Sequence, residues 1–361
     1  MKARRRLLRP AEIRRILVLQ FGPIGDTLFA VPALKALRLR FPTATIAVLA
    51  SPRAGEILHG APYIDLLRIC RSGLDLMRSL FELRQSGFDL AVGLSNQGSW
   101  LAPFFGTPWK AGFPSPLLNL AEPGPVKEEP SSHVVEYCLA VVRMLGADPP
   151  DDGDGGLEIW LSDADHEGAE RFLTAHRLTP PIVAIHPGGH YFPHKRWPAI
   201  RYAALTDALT ALGLKVVVIG GVEDVELASS VAQRARSAPV VAAGRLRLRE
   251  TAALIARCAL FIGNDSAPLH LAAAVKTPSI GLFGPTSPRQ FSPYGPGHAV
   301  IYKSFTCSPC FRFLGGLWQY WPKCVRAHCM EAISVEEVYR TALRQLAAGR
   351  GRWPAEDGAR G

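Results

Sequence analysis

Asp265, Ser266 and His270 fall within one short stretch, Phe261-Ile262-Gly263-Asn264-Asp265-Ser266-Ala267-Pro268-Leu269-His270. An acid, a hydroxyl and an imidazole are thereby brought to one turn. Leu260 to Ile262 reads as the end of a buried strand, and Asn264, Asp265 and Ser266 are residue types that cap helices. A helix N-terminus presents backbone N–H groups and a partial positive charge, which suits a phosphate. Pro268 removes one donor and presets the helical φ angle. Taken singly, Asp265 reads as a cap and His270 as a packing histidine. Taken as a set with Ala267, they read as an anion site.

Three other places carry chemistry. Asp26 closes Gly22-Pro23-Ile24-Gly25-Asp26 at the carboxyl end of an apolar strand, Ile16 to Gln20, which is the ligand-facing edge of an open α/β sheet. Taken alone it reads as a cap of the helix that follows. His186-Pro187-Gly188-Gly189 follows a second such strand, and its glycines let backbone N–H groups approach a diphosphate. Lys195 comes next, just ahead of Trp197-Pro198, and taken alone reads as solvated surface charge. Beyond a third strand, Gly220-Gly221-Val222-Glu223-Asp224 offers Glu223 or Asp224 to the hydroxyls of a ribose or sugar.

Two further patterns are weaker. Cys307, Cys310, Cys324 and Cys329 are spaced C-x2-C-x13-C-x4-C, compatible with structural zinc although the second pair is wider than usual. Cys70, Cys138 and Cys258 sit in apolar surroundings and read as buried thiols. Asp152-Gly153-Asp154 is formally D-x-D, but no strand precedes it, so it reads as a solvated turn.

The elements that must position these residues form two βα series. In the first, strands at Ile16–Gln20, Thr45–Ala50 and Asp89–Leu94 accompany helices at Leu28–Leu39 and Val134–Leu145, and Pro103–Pro130 reads as irregular. The cluster 147–157 is rich in Asp, Pro and Gly and reads as a linker. The second series has strands at Ile182–Ile185, Val216–Ile219, Pro239–Ala242 and Leu260–Ile262. Its helices are expected at Ile200–Leu212, Val225–Arg236 and Arg249–Arg257. Such alternation implies parallel sheets with right-handed crossovers, hence two Rossmann-like domains facing a cleft. Expected boundaries are a basic disordered arm over 1–12, domains over 13–165 and 166–346, and a disordered tail over 347–361.

The stretch N-D-S-A-P-x-H-x-A-A-A, followed by T-P-x-x-x-L-F-G-P-T, resembles the C-terminal signature of the lipopolysaccharide heptosyltransferases, glycosyltransferase family 9. The strand and G-D turn at 16–27 and the block from His186 to Pro198 resemble the same family, in the same order, over roughly residues 13 to 340. The resemblance implies the GT-B architecture, with an acceptor domain followed by a nucleotide-sugar domain. It implies inverting transfer of a heptose from ADP-L-glycero-D-manno-heptose to a lipid A-core acceptor. Asp26 matches the family's catalytic base and Lys195 its phosphate-binding lysine. Asp265, Ser266, Ala267 and His270 match its donor-binding turn. The leaving diphosphate would be stabilised by Lys195 and a helix dipole, with no cofactor and no obligatory metal. The last helix, near Val335–Leu346, would close the second domain or return to the first.

Composition bounds the rest. The net charge of +10 is concentrated at the start, where Lys2, Arg4, Arg5, Arg6, Arg9, Arg14 and Arg15 face only Glu12. A basic arm on a nearly neutral body suits an anionic inner-membrane surface or serves as a solubilising tail. No basic stripe interleaved with aromatics marks a nucleic-acid partner. With no apolar run near the ~18 residues of a spanning helix and no signal peptide, a cytoplasmic, membrane-peripheral location is expected. Against a dinucleotide-dependent oxidoreductase, neither strand turn carries G-x-G-x-x-G. Retention of Asp26, Lys195, Asp265 and His270 speaks against a silent sugar-nucleotide-binding protein.

Overall fold

The computed structural model describes residues 9–113, 123–125, 133–149, 156–189, 192–314, 317–320 and 326–349. Most of the basic arm (1–8), the core of the linker with Asp152-Gly153-Asp154, and the tail from 350 lie outside the described residues. The chain divides into two compact units, Met1–Trp160 with Phe313–Gln319, and Leu161–Arg312 with Tyr320–Gly361.

In the first unit β1 (Arg15–Gln20), β2 (Thr45–Ala50), β3 (Leu66–Ile69), β4 (Leu90–Gly93), β5 (Trp109–Gly112) and β6 (Pro123–Pro125) form a parallel sheet ordered β3-β2-β1-β4-β5-β6. The helices are α1 (Ile24–Arg40), α2 (Pro52–Leu58), α3 (Gly73–Gln85), α4 (Asn96–Leu101) and α5 (Val134–Arg143). β1 buries Ile16 to Gln20 without a break, as a central parallel strand covered on both faces must. α1 packs on α5 and is buried along most of its length, despite Pro32 within it. The region expected to be irregular, 103–130, contains β5 and β6. Trp109-Lys110-Ala111-Gly112 has no strand-like run of its own and becomes a strand by pairing with β4.

The second unit repeats the plan with β7 (Ile182–His186), β8 (Lys215–Val218), β9 (Val240–Val241), β10 (Leu260–Asn264), β11 (Ser279–Phe283) and β12 (His298–Tyr302), ordered β12-β11-β10-β7-β8-β9. Its helices are α6 (Asp163–Ala175), α7 (Ala199–Thr210), α8 (Val225–Arg234), α9 (Leu248–Ala256), α10 (Ala267–Ala274), α11 (Pro288–Phe291), α12 (His328–Glu331) and α13 (Val335–Ala348). β13 (Phe311–Leu314) and β14 (Leu317–Tyr320) make a separate two-stranded sheet. α13 packs on α7 and buries Val338 and Ala342 in the second unit's core, which settles where the last helix belongs.

Both sheets therefore reverse direction beside their first strand, between β1 and β4 and between β7 and β10. Crossovers leave on opposite sides at these points, and the turns that follow the two strands diverge to leave an opening where ligands bind in such sheets. In the first unit the floor of that opening is set by Gly98. A Cβ there would lie 2.2 Å from the Leu19 carbonyl oxygen, so only glycine lets α4 rest on β1. Gly98→Ala is expected to destabilise the protein by roughly 1–3 kcal/mol through overpacking, read from the midpoint of urea unfolding. An unchanged midpoint would mean that α4 can lift off β1 at little cost.

Candidate functional site

At the first reversal a cavity of about 180 Å³ opens, lined among others by Gly22, Asp26, Ser95, Asn96, Phe113 and Cys138. Asp26 is half-buried in the first turn of α1, whose N-cap is Pro23 with no side-chain cap bond. Its backbone carbonyl accepts from Gln20 Nε2 at 3.2 Å, tying the turn to the end of β1. Ser95 caps α4, its Oγ accepting from Gly98 N at 3.1 Å, and also accepts from Phe21 N at 3.1 Å. One hydroxyl thus fixes both walls. Asn96 Oδ1 is buried and has no hydrogen-bond partner among the described residues. Nothing in the sequence pattern marked Ser95 or Asn96, because their role depends on β4 ending beside β1.

At the second reversal the pieces are held by Asn264, the last residue of β10 and fully buried. Its Oδ1 accepts from Trp197 N at 3.1 Å and Tyr202 Oη at 3.0 Å; its Nδ2 donates to Pro187 O and Gly188 O, each at 2.9 Å. Asn264 is therefore a brace, not the helix cap its residue type suggested. Asp265 is not a cap either. The N-cap of α10 is Ser266, which makes no side-chain cap bond.

Asp265 instead pairs with Lys195 Nζ at 2.8 Å, and His270 Nε2 lies 3.7 Å from its other oxygen. Asp265 and His270 are buried, and Lys195 is largely so. The ammonium also sits 4.7 Å from the ring centre of Phe311 and 5.5 Å from that of Phe192, within cation–π range. Burial alone would raise the Asp265 pKa. The Lys195 charge and then His270 outweigh burial and hold the carboxyl well below the usual carboxylate range.

Ser266 faces the other way. Its Oγ is 3.0 Å from His186 Nδ1, and His186 Nε2 is 3.1 Å from Asp224 Oδ2. This serine–histidine–aspartate chain, buried at His186 and Asp224 and half-buried at Ser266, links the carboxyl end of β7 to the turns after β10 and β8. Burial pushes the Asp224 pKa up, but hydrogen bonds with His186 and Gly221 N–H and the more distant charge of Arg196 bring it below its ordinary value. A Cβ at residue 188 would meet Asp224 Oδ1 at 2.2 Å and His186 Nε2 at 2.6 Å, so Gly188 is required by this pair. Gly189 has φ +148°, a backbone conformation reserved for glycine. Of the two acids left open by the sequence, Asp224 turns inward and Glu223 is exposed. His186 was visible only as the start of the His-Pro-Gly-Gly turn; its partners lie 38 and 80 residues away in the chain.

The cysteines divide in the same way. Cys70, Cys138 and Cys258 are buried, and burial pushes the Cys258 thiol up to about 12. Cys307 and Cys310 are half-buried, Cys329 is buried in α12, and Cys324 lies outside the described residues. Among the described residues no three His, Cys, Asp or Glu side chains form a group that could hold a metal.

A family model described as Glycosyltransferase family 9 (heptosyltransferase) matches residues 77–315. The chain belongs to this family. Lipooligosaccharide heptosyltransferase 2 of Haemophilus influenzae is 28% identical over 312 residues, covering 79% of this chain and 88% of the relative. Lipopolysaccharide heptosyltransferase 3 of Escherichia coli K12 is 30% identical over 283 residues, covering 73% and 80%. Among solved structures, a family 9 glycosyl transferase from Veillonella parvula superposes with a TM-score of 0.77 at 25% identity, covering 93% of this chain and 97% of that one. The E. coli ADP-heptose LPS heptosyltransferase II superposes at 0.73 and 22% identity, covering 93% and 99%, a likeness of fold. The family 9 enzyme described here is thus a glycosyltransferase of the GT-B fold, with two parallel sheets as expected.

The Lys195–Asp265 pair carries a pH signature. Because the folded carboxyl is held below the unfolded value of about 3.9, its stabilisation is full above that pH and drains away as pH falls through the lower folded value. Asp265→Asn should cost roughly 3 kcal/mol at neutral pH by stranding Lys195. In urea unfolding the gap to wild type should narrow below pH ~4. A gap that persists in acid would show that Asp265 contributes by packing instead.

Proposed function

We propose that this family 9 enzyme moves a heptose from ADP-L-glycero-D-manno-heptose to a lipopolysaccharide inner-core acceptor, with inversion at the anomeric carbon. The first unit takes the acceptor and the second takes the nucleotide sugar. The names carried by the relatives, lipooligosaccharide and lipopolysaccharide heptosyltransferases, support the sugar and the acceptor class. The observation that carries the reading is the pairing of chemistry with topology: a carboxylate lines the cavity at one sheet reversal, and a lysine beside a helix N-terminus occupies the other.

Asp26 acts as general base. Attack by an acceptor hydroxyl forms the new C–O bond as the bond to the diphosphate breaks, and the hydroxyl proton passes to Asp26. Charge then grows on the departing ADP. Lys195 and the N-terminus of α10, with Ser266 and the Ala267 N–H, receive it. In the resting protein Asp265 holds Lys195, and His270 supports Asp265, so the ammonium waits in one place beside the packed rings of Phe192 and Phe311. The turn at Gly188 and Gly189 brings backbone to the same charge, and Glu223 or Asp224 takes the ribose side of the donor. The basic arm over 1–12 favours the anionic inner-membrane surface at its cytoplasmic face. A transferase of this family with another nucleotide sugar is the alternative, and calorimetry of ADP-heptose against UDP- and GDP-sugars separates the two.

Asp26→Asn should lower transfer by ~10²–10⁴-fold while ADP-sugar affinity stays within error of wild type. Wild-type turnover by this variant would remove Asp26 from the reaction. Lys195→Ala should weaken ADP binding by ~1.5–3 kcal/mol and leave adenosine binding unchanged. Equal losses for ADP and adenosine would make Lys195 a structural residue.

A further inference from the structure

α3 presents an unusual outer face. Leu83 and Ser79 turn inward, and Leu76 and Leu80 pack against a core cluster that includes Phe105. On the opposite side Leu74, Met77 and Phe81 are 78%, 64% and 68% exposed. At ~100° per residue these three side chains share one arc about 60° wide. Arg84 and Arg78 flank that arc on either side, both exposed, and neither makes a salt bridge among the described residues. The two acids of α3 lie further round the helix and are engaged locally. Asp75 Oδ2 accepts from Arg71 N at 3.0 Å, and Glu82 pairs with Arg68 at 2.6 Å. The short 3₁₀ turn Ala102–Phe105 packs beside α3 and adds Phe104, 52% exposed.

A helix packed on a sheet normally turns charged groups to water. Three large apolar side chains in the middle of the outer face mark an interaction surface. The flanking charge selects the partner. We propose that the outer face of α3 docks on an anionic lipid bilayer. Leu74, Met77 and Phe81 enter the boundary between headgroups and acyl chains, and Arg78 and Arg84 extend sideways to lipid phosphates. A second copy of the chain fits poorly. A two-fold contact centred on this stripe would set the arginines of one copy against the same arginines of the other. Among the described residues no helix is long and apolar enough to cross a membrane, so contact through α3 is interfacial. Docking of this kind is independent of the sugar-transfer chemistry and of the basic segment ahead of residue 9.

The test is co-sedimentation of the full chain with vesicles of phosphatidylethanolamine and phosphatidylglycerol, and with vesicles of phosphatidylcholine alone. Wild type is compared with the triple variant Leu74→Ser, Met77→Ser, Phe81→Ser and with the double variant Arg78→Gln, Arg84→Gln. All five side chains are exposed, and unchanged circular dichroism checks the fold. The triple variant should bind the anionic vesicles on the order of a hundredfold more weakly. The double variant should lose about tenfold or more and with it the preference for anionic lipid. Equal binding by wild type and the triple variant would overturn the proposal and assign any membrane contact to the basic segment. So would wild-type protein that binds neither vesicle, or both equally. A dimer in light scattering that the triple variant dissolves would give the face to a second copy.

Discussion

The buried side chain of Asn264 is the interaction on which the second unit's site depends. An amide has two donor hydrogens and two acceptor lone pairs, and here all four are used, on Trp197 N, Tyr202 Oη, Pro187 O and Gly188 O. It thereby fastens the end of β10 to the turn after β7 and to the segment that carries Lys195. A fully buried amide with any of these partners missing would carry a desolvation cost of about 1–3 kcal/mol. The arrangement is accordingly all-or-none. With Asn264 in place, Asp265 meets Lys195 on one side and Ser266 meets His186 on the other.

Behind this brace lies a topological constraint that acts twice. Each sheet reverses beside its first strand, and the connections that follow the two strands run to opposite faces and leave a space above the carboxyl ends. Side chains from the following turns fill the space. In the first unit the filling is partial, with a cavity beside Asp26 and a buried Asn96 Oδ1 that has no hydrogen-bond partner among the described residues. In the second it is denser and charged. The Lys195–Asp265 pair and the His186–Asp224 pair lie on opposite sides of the turn into α10. Burial raises the cost of an unpaired charge there, which explains why Lys195 and Asp265 are held within hydrogen-bond reach of one another.

The tight glycines follow from the same crowding. Gly188 lies against the His186–Asp224 pair, and Gly98 lies against the carbonyl of Leu19. Neither position would accept a methyl group without moving backbone or a buried hydrogen-bonded pair. α3 stands apart from these constraints. Its inner face is fixed by the sheet, but nothing in the first unit's core dictates Leu74, Met77 and Phe81 on the outer face.

By itself the sequence determined the alternation of strands and helices, because buried parallel strands such as Ile182–His186 and Leu260–Asn264 are continuous apolar runs ended by turn residues. It also determined that Asp26, Lys195, Asp265 and His270 lie in the segments that follow the carboxyl ends of strands, since that follows from local order along the chain. Whether Asp265 capped a helix or held a lysine was decided by the tertiary structure, as the partner comes from 70 residues away. So was the choice of Asp224 over Glu223 as the inward acid, which turns on a single residue's rotation about the chain and on the position of His186. β5 belongs with these cases: Trp109–Gly112 is a strand only because β4 offers an open edge. Local pattern records which face of an element is apolar. Pairing between distant segments is a property of the packed sheet, and only the folded chain brings those partners within reach.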